Sequence, residues 1–123
     1  MIRKTTQRQV IQEVFENWEH PLTPPEVHNR ASKKLPALGI ATVYRTINAM
    51  VDIGDLDVVE LPGEPQRYER GGKHHHHHFH CRDCKGVFDI DGCELGLRKK
   101  LPGGYFVERH EITFYGLCAK CAS

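Results

Sequence analysis

The residues best equipped for chemistry lie between His74 and Cys84: five consecutive histidines (His74 to His78), then Phe79, His80, Cys81, Arg82, Asp83 and Cys84. Six imidazoles and two thiols within eleven residues is a density of metal ligands that ordinary core or surface composition does not produce. A second Cys-x-x-Cys, Cys118 to Cys121, lies near the end of the sequence. Together the two pairs supply four thiolates, the full tetrahedral set for a structural zinc. A histidine run can be an expression tag, but tags sit at a terminus and this run leads directly into Cys81. Some of the five histidines must face water; the rest are expected to bind metal. Enzymatic zinc chemistry is not expected. No His-Glu-x-x-His occurs, and the deaminase pattern of His-x-Glu followed by Pro-Cys-x-x-Cys is missing. A four-thiolate zinc also leaves no position open for water.

These ligands must be held by a small scaffold. The 123 residues suit one domain or two very small ones. Two units of about sixty residues would each be marginal on apolar burial alone, so metal and subunit contacts are expected to add stability. No apolar run approaches the roughly 20 residues needed to span a bilayer, and the N-terminus turns polar after Ile2, so neither a membrane partner nor a signal peptide is expected. Five cysteines beside nine histidines favour zinc ligation in a reducing cytoplasm over a disulfide scaffold. The net charge of +1 conceals an uneven distribution. Residues 1–50 carry seven Lys/Arg against four Asp/Glu, residues 51–70 two against six, and residues 71–123 eight against six. The first segment could therefore meet a polyanion, although the chain as a whole is not polybasic.

Hydrophobic periodicity supplies the elements. Thr6 and Gln9 form a capping-box pattern for a first helix, with Val10, Ile11, Val14, Phe15 and Trp18 at helical spacing and His20-Pro21 as its stop. Thr23-Pro24-Pro25-Glu26 starts a second helix over Pro24–Lys34. A third, Ala41–Ile53, buries Val43, Ile47, Met50 and Val51, while Thr42, Arg45 and Asn48 face away with Tyr44 on the flank. Three short helices with a tight turn before the third make a helix-turn-helix. Leu56–Leu61 and Gln66–Arg70 then form a hairpin, or wing, across Pro62-Gly63-Glu64-Pro65. Gly71-Gly72-Lys73 reads as a flexible break and a domain boundary. Beyond it, strands are expected at Phe79–Cys81, Val87–Ile90 and Phe106–Phe114 (the last carrying His110), with a short helix at Leu95–Leu101. The fold class is α+β: an N-terminal winged helix-turn-helix and a small C-terminal α/β domain with a four-cysteine zinc site.

Taken together, Gly39-Ile40-Ala41-Thr42-Val43-Tyr44-Arg45, the histidine block ending in Cys81-x-x-Cys84, and Tyr115-Gly116-x-Cys118 resemble the ferric uptake regulator superfamily over nearly the whole chain. That group includes iron, zinc and manganese sensors and peroxide-sensing repressors. The resemblance implies a DNA-binding domain over residues 1–70, a hinge at 71–74 and a dimerisation domain over 75–123. It also implies a homodimeric, cytoplasmic repressor that, when loaded with metal, binds A/T-rich inverted repeats in double-stranded DNA, with no small organic substrate. Tyr44 and Arg45 match groove-reading positions, with Thr42 and Asn48 beside them. Arg8 matches a basic position that contacts the DNA backbone or minor groove.

By the same resemblance, Cys81, Cys84, Cys118 and Cys121 hold structural zinc. A regulatory Zn2+, Fe2+ or Mn2+ is bound by His20, Glu69, His76, His78 and Asp89, with His28 an alternative to His20. A third site would use His75, His77 and His110. At this site His77 stands where the family has Asp, and Gly96 where it has Glu, although Glu94 is close by. Cys93 is the odd cysteine, either a small buried residue or a soft ligand replacing that carboxylate. The competing reading is a histidine-rich metal-storage or metal-chaperone protein, and the third-helix string argues against it.

Overall fold

A computed structural model describes residues 3–92 and 100–123. The chain divides into two compact units, Met1–Lys73 and His74–Ser123. The first unit consists of α1 (Lys4–Glu16), α2 (Pro24–Ala31), α3 (Ile40–Asp52) and an antiparallel hairpin of β1 (Leu56–Val59) and β2 (Arg67–Arg70). Its core gathers one apolar stripe from each helix: Ile11 and Phe15 from α1, Val27 and Ala31 from α2, and Val43, Ile47 and Met50 from α3, closed by Leu56 and Tyr68 of the hairpin. Ile47 is 1 % exposed at the centre of that cluster. Replacing it with Ala removes buried methylenes and leaves a cavity, so Ile47→Ala is expected to lower stability by about 2–5 kcal/mol in chemical denaturation.

Helix limits differ from the expected ones for local reasons. The Thr6–Gln9 capping box does not form, because α1 already runs past Thr6. The Gln7 N–H donates to the Arg3 carbonyl at 3.0 Å, and Arg3 is an N-cap without a side-chain hydrogen bond. The helix also ends at Glu16, short of His20-Pro21. Leu22 and Tyr68 exchange two backbone hydrogen bonds (2.9 and 2.8 Å), which requires extended backbone before Pro21 and Leu22. At α2 the expected box is present: Glu26 N–H donates to Thr23 Oγ1 at 3.3 Å, and Thr23 N–H donates to Glu26 Oε1 at 2.9 Å.

Gly71 belongs to the end of the first unit rather than to a loose linker. Its N–H donates to the Asp55 carbonyl at 2.9 Å, and a Cβ there would collide with the Gly54 carbonyl.

The second unit is built on a three-stranded sheet in the order β4-β3-β7, from β3 (His76–Cys81), β4 (Val87–Asp91) and β7 (Thr113–Gly116). β3 pairs antiparallel with β4 and parallel with β7. It starts three residues earlier than expected, because His76 and His77 continue the ladder opposite Asp91 and Ile90. A small hairpin joins β5 (Lys100–Leu101) to β6 (Tyr105–Phe106), and α4 (Ala119–Ala122) follows β7.

Two expectations fail in this unit. Lys100 and Leu101 are strand, not the end of a helix; residues 95–99 of that expected helix lie outside the described residues. The expected strand Phe106–Phe114 is broken, so that His110 sits in irregular chain between β6 and β7. Pro102-Gly103-Gly104 is the cause at the first place: both glycines have positive φ and turn the chain into the β5–β6 hairpin.

The apolar core here is thin. Among the described residues of this unit, only Cys81, Val87 and Cys118 are buried apolar side chains, while Tyr105, Phe106 and Tyr115 are each at least 60 % exposed. No helix among the described residues is long and apolar enough to cross a membrane.

Candidate functional site

β3 sorts the histidine run. Side chains along a strand point alternately to opposite faces, so His76 and His78 share one face and His77 the other, with His75 just before the strand. On the first face the register places Asp89 of β4 opposite His78. Its Oδ1 lies 3.3 Å from His78 Nε2 and 3.6 Å from His76 Nε2. One carboxylate thus faces two imidazoles across a gap the size of a metal ion, with all three side chains largely shielded. Nitrogen and oxygen donors of this kind suit an exchangeable divalent ion of the first transition row.

On the opposite side, His75, His77 and His110 gather with their ligand atoms within 4.8 Å of one another. His75 Nε2 is 3.0 Å from His110 Nε2, and the His75 and His77 rings are 4.6 Å apart. His77 is 2 % exposed. Burial, and then the neighbouring imidazoles led by His75, push its pKa down, which keeps the ring neutral and available as a ligand. Cys93, Glu94 and Gly96, the remaining residues considered for this site, lie outside the described residues.

The four cysteines converge at the far end of β3. Cys81 is its last residue, and the following knuckle closes through Lys85 N–H to the Cys81 carbonyl and Cys81 N–H to the Gly86 carbonyl, both 3.0 Å. Lys85 takes a left-handed backbone, φ 65°, to make that turn. The parallel register ends on Cys81 opposite Gly116, and this delivers Cys118 to the same place. One turn of α4 then brings round Cys121, with Ala122 N–H donating to the Cys118 carbonyl at 2.8 Å.

All four sulfurs lie within 4.8 Å of one another. Backbone N–H groups of Cys118 and Cys84 point at Cys81 Sγ (3.4 and 3.5 Å) and hold its thiol down to about 6. Cys121 is pushed up to about 12 by hydrogen bonding with the Cys118 and Cys81 thiols, which favours its protonated form. Four sulfurs this close ionise together only around a cation. The set therefore fits zinc, which would neutralise the thiolates and cross-link the ends of β3 and β7.

In the first unit, Val43, Ile47 and Met50 bury one side of α3, and Tyr44, Arg45 and Asn48 are exposed on the other. Arg45 Nη2 donates to Thr42 Oγ1 at 3.0 Å, which steadies the guanidinium. Arg8 is half exposed and 3.6 Å from Asp55. His20 lies beside the Trp18 ring, with centroids 5.5 Å apart. The Leu22–Tyr68 bridge lays the segment that follows His20 along β2, the strand that carries Glu69. His28 is engaged elsewhere: its Nε2 donates to the Leu38 carbonyl at 2.7 Å and pins the turn before α3. One residue near these candidates escaped sequence reasoning. Lys73 places its Nζ 2.8 Å from Glu69 Oε1. The only signal was a Glu–Lys spacing of four, which carries meaning on a helix but not at the end of a strand.

A winged helix with an exposed third helix, joined in one chain to a sheet that gathers three sets of side chains able to hold a metal, is the arrangement of a metal-responsive transcriptional regulator. Residues 1–115 match the Ferric uptake regulator family, and the chain belongs to it.

Among its relatives, the ferric uptake regulation protein of Bacillus subtilis (strain 168) is 29% identical over 124 residues, covering 95% of this chain and 83% of that protein. The zinc uptake regulation protein of Mycobacterium tuberculosis (strain ATCC 25618 / H37Rv) is 28% identical over 125 residues, covering 99% and 96%. Among solved structures, a zinc-bound manganese uptake regulator superposes with a TM-score of 0.84 at 28% identity, over 95% of this chain and 91% of that one.

Proposed function

We propose that this chain is a homodimeric, cytoplasmic repressor that binds an A/T-rich inverted repeat in double-stranded DNA when its regulatory metal site is filled. The observation that carries this reading is the convergence of His76, His78 and Asp89 on one face of β3, set apart from the four-thiol cluster at the strand's end. One cluster is suited to a permanent ion and the other to an exchangeable one.

Glu69 and His20 are proposed as the ligands from the first unit. Glu69 ends seven residues before His76, across the Gly71-Gly72 segment, and the Leu22–Tyr68 bridge carries the segment after His20 along the same strand. His28 stays the alternative to His20: its Nε2–H donates to the Leu38 carbonyl, which leaves Nδ1 as the nitrogen that could reach a metal. By linkage, DNA and the regulatory ion would each tighten the binding of the other. His75, His77 and His110 are proposed as a further zinc-preferring site, since three imidazoles favour zinc over manganese. The exposed Tyr105, Phe106, Phe114 and Tyr115 support dimerisation through the second unit, which buries little apolar surface by itself.

The test is fluorescence anisotropy of an A/T-rich inverted-repeat duplex at fixed salt. The protein keeps its structural zinc, is stripped of exchangeable metal and is then titrated with Zn2+, Mn2+ or anaerobic Fe2+. Binding that switches on with one of these ions is the expected result. Binding that no ion changes, with the protein still folded, would favour metal storage. In the same assay Arg45→Ala is expected to lose about 1–3 kcal/mol of operator affinity and to relax base preference. A loss equal on operator and random DNA would instead make Arg45 a phosphate contact.

A further inference from the structure

We propose that Lys73 sets the metal threshold of this regulator: its ammonium holds the Glu69 carboxylate and is displaced when an ion takes that carboxylate. This rests on the reading of Glu69 as a regulatory ligand and goes beyond it. Lys73 Nζ donates to Glu69 Oε1 at 2.8 Å and also to the main-chain carbonyl of Glu19. Both side chains are shielded, Lys73 to 18 % and Glu69 to 5 % exposure, whereas lysine is ordinarily a surface residue.

The contact is not a product of spacing alone. Four residues of extended chain would separate the two by about 13 Å. The chain is folded back by Gly71, packed against the Gly54 carbonyl, and by Gly72 at φ 76°.

The pair occupies a decisive position. Glu19 immediately precedes His20, so one ammonium holds both segments that carry the proposed ligands of this unit. A divalent ion and an ammonium on one shielded carboxylate repel each other. Metal therefore competes with Lys73 for Glu69, and entry of the ion releases the hold on the Glu19 carbonyl. Lys73 raises the concentration of ion needed for activation and keeps the buried carboxylate neutralised until then.

The experiment is a double-mutant cycle on the full-length, structurally zinc-loaded protein, with affinity for chelator-buffered Zn2+ and for Mn2+ read by titration. Lys73→Met is expected to tighten metal binding about tenfold, the scale of one charged hydrogen bond. It should also move metal-dependent DNA binding to correspondingly lower ion concentration. Lys73→Gln, which keeps a polar side chain without the charge, is expected to act in the same direction. In a Glu69→Gln background the Lys73 substitution should gain nothing.

Unchanged or weaker binding in Lys73→Met and Lys73→Gln, with Glu69→Gln alone clearly weakened, overturns the role of Lys73 while Glu69 stands as a ligand. A gain that persists in the Glu69→Gln background means general charge repulsion and also overturns it. If Glu69→Gln binds metal as the unsubstituted protein does, the ligand assignment itself falls, and the Lys73 proposal falls with it.

Discussion

Cys118→Ser is expected to empty the structural zinc site and unfold the C-terminal unit while the winged helix stays folded. Cys118 is buried, its N–H points at Cys81 Sγ, and it stands where β7 leaves the sheet beside the end of β3. A zinc ion there joins the two strand ends, and apparent zinc-binding energies of about 10–16 kcal/mol equal or exceed the whole stability of a typical domain. The unit has little with which to compensate, since its buried apolar side chains among the described residues are Cys81, Val87 and Cys118. The first unit keeps its own core of Ile11, Phe15, Val27, Val43, Ile47 and Met50. Zinc content should therefore fall to near zero, with loss of strand signal in circular dichroism. A zinc-free Cys118→Ser protein whose C-terminal unit remains folded would show that the four cysteines are not structural.

Asp89→Ala should act in the opposite way, sparing the fold and removing regulation. Asp89 Oδ1 is the shared neighbour of His76 and His78, at 3.6 and 3.3 Å, and lies on β4 away from the cysteine cluster. Losing even an outer partner of a metal ligand typically costs 10–100-fold in affinity, so losing a ligand is expected to cost about 100-fold or more. Structural zinc content and melting behaviour should be retained. Metal-activated operator binding should vanish at ion concentrations that saturate the unsubstituted protein. Retained activation would move the regulatory site elsewhere, with the cluster of His75, His77 and His110 the first place to look.

The local features were legible in the residues themselves. Two Cys-x-x-Cys pairs and a five-histidine run declare metal binding by composition alone. Thr23 and Glu26 declare the start of α2, and the stripe of Val43, Ile47 and Met50 declares which side of α3 is left exposed, because a 3.6-residue period is written in one dimension. The strong family strings added the assignment of His76, His78 and Asp89, but composition could not have separated them from their neighbours in a run of identical residues.

What the tertiary structure decided was pairing. That His78 lies opposite Asp89, and that Cys81 meets Gly116 so that Cys118 reaches the cluster, are matters of register between strands far apart in sequence. A shift of one residue would exchange the two faces of β3, and with them the two groups of histidines. The Leu22–Tyr68 bridge and the hold of Lys73 on Glu69 and Glu19 likewise arise only when the chain folds back on itself. Residue types and local periods settled that the chain carries metal-binding chemistry and which side of α3 faces outward. Long-range hydrogen bonding settled which candidate ligands stand together, because that grouping depends on contacts that no local stretch of sequence contains.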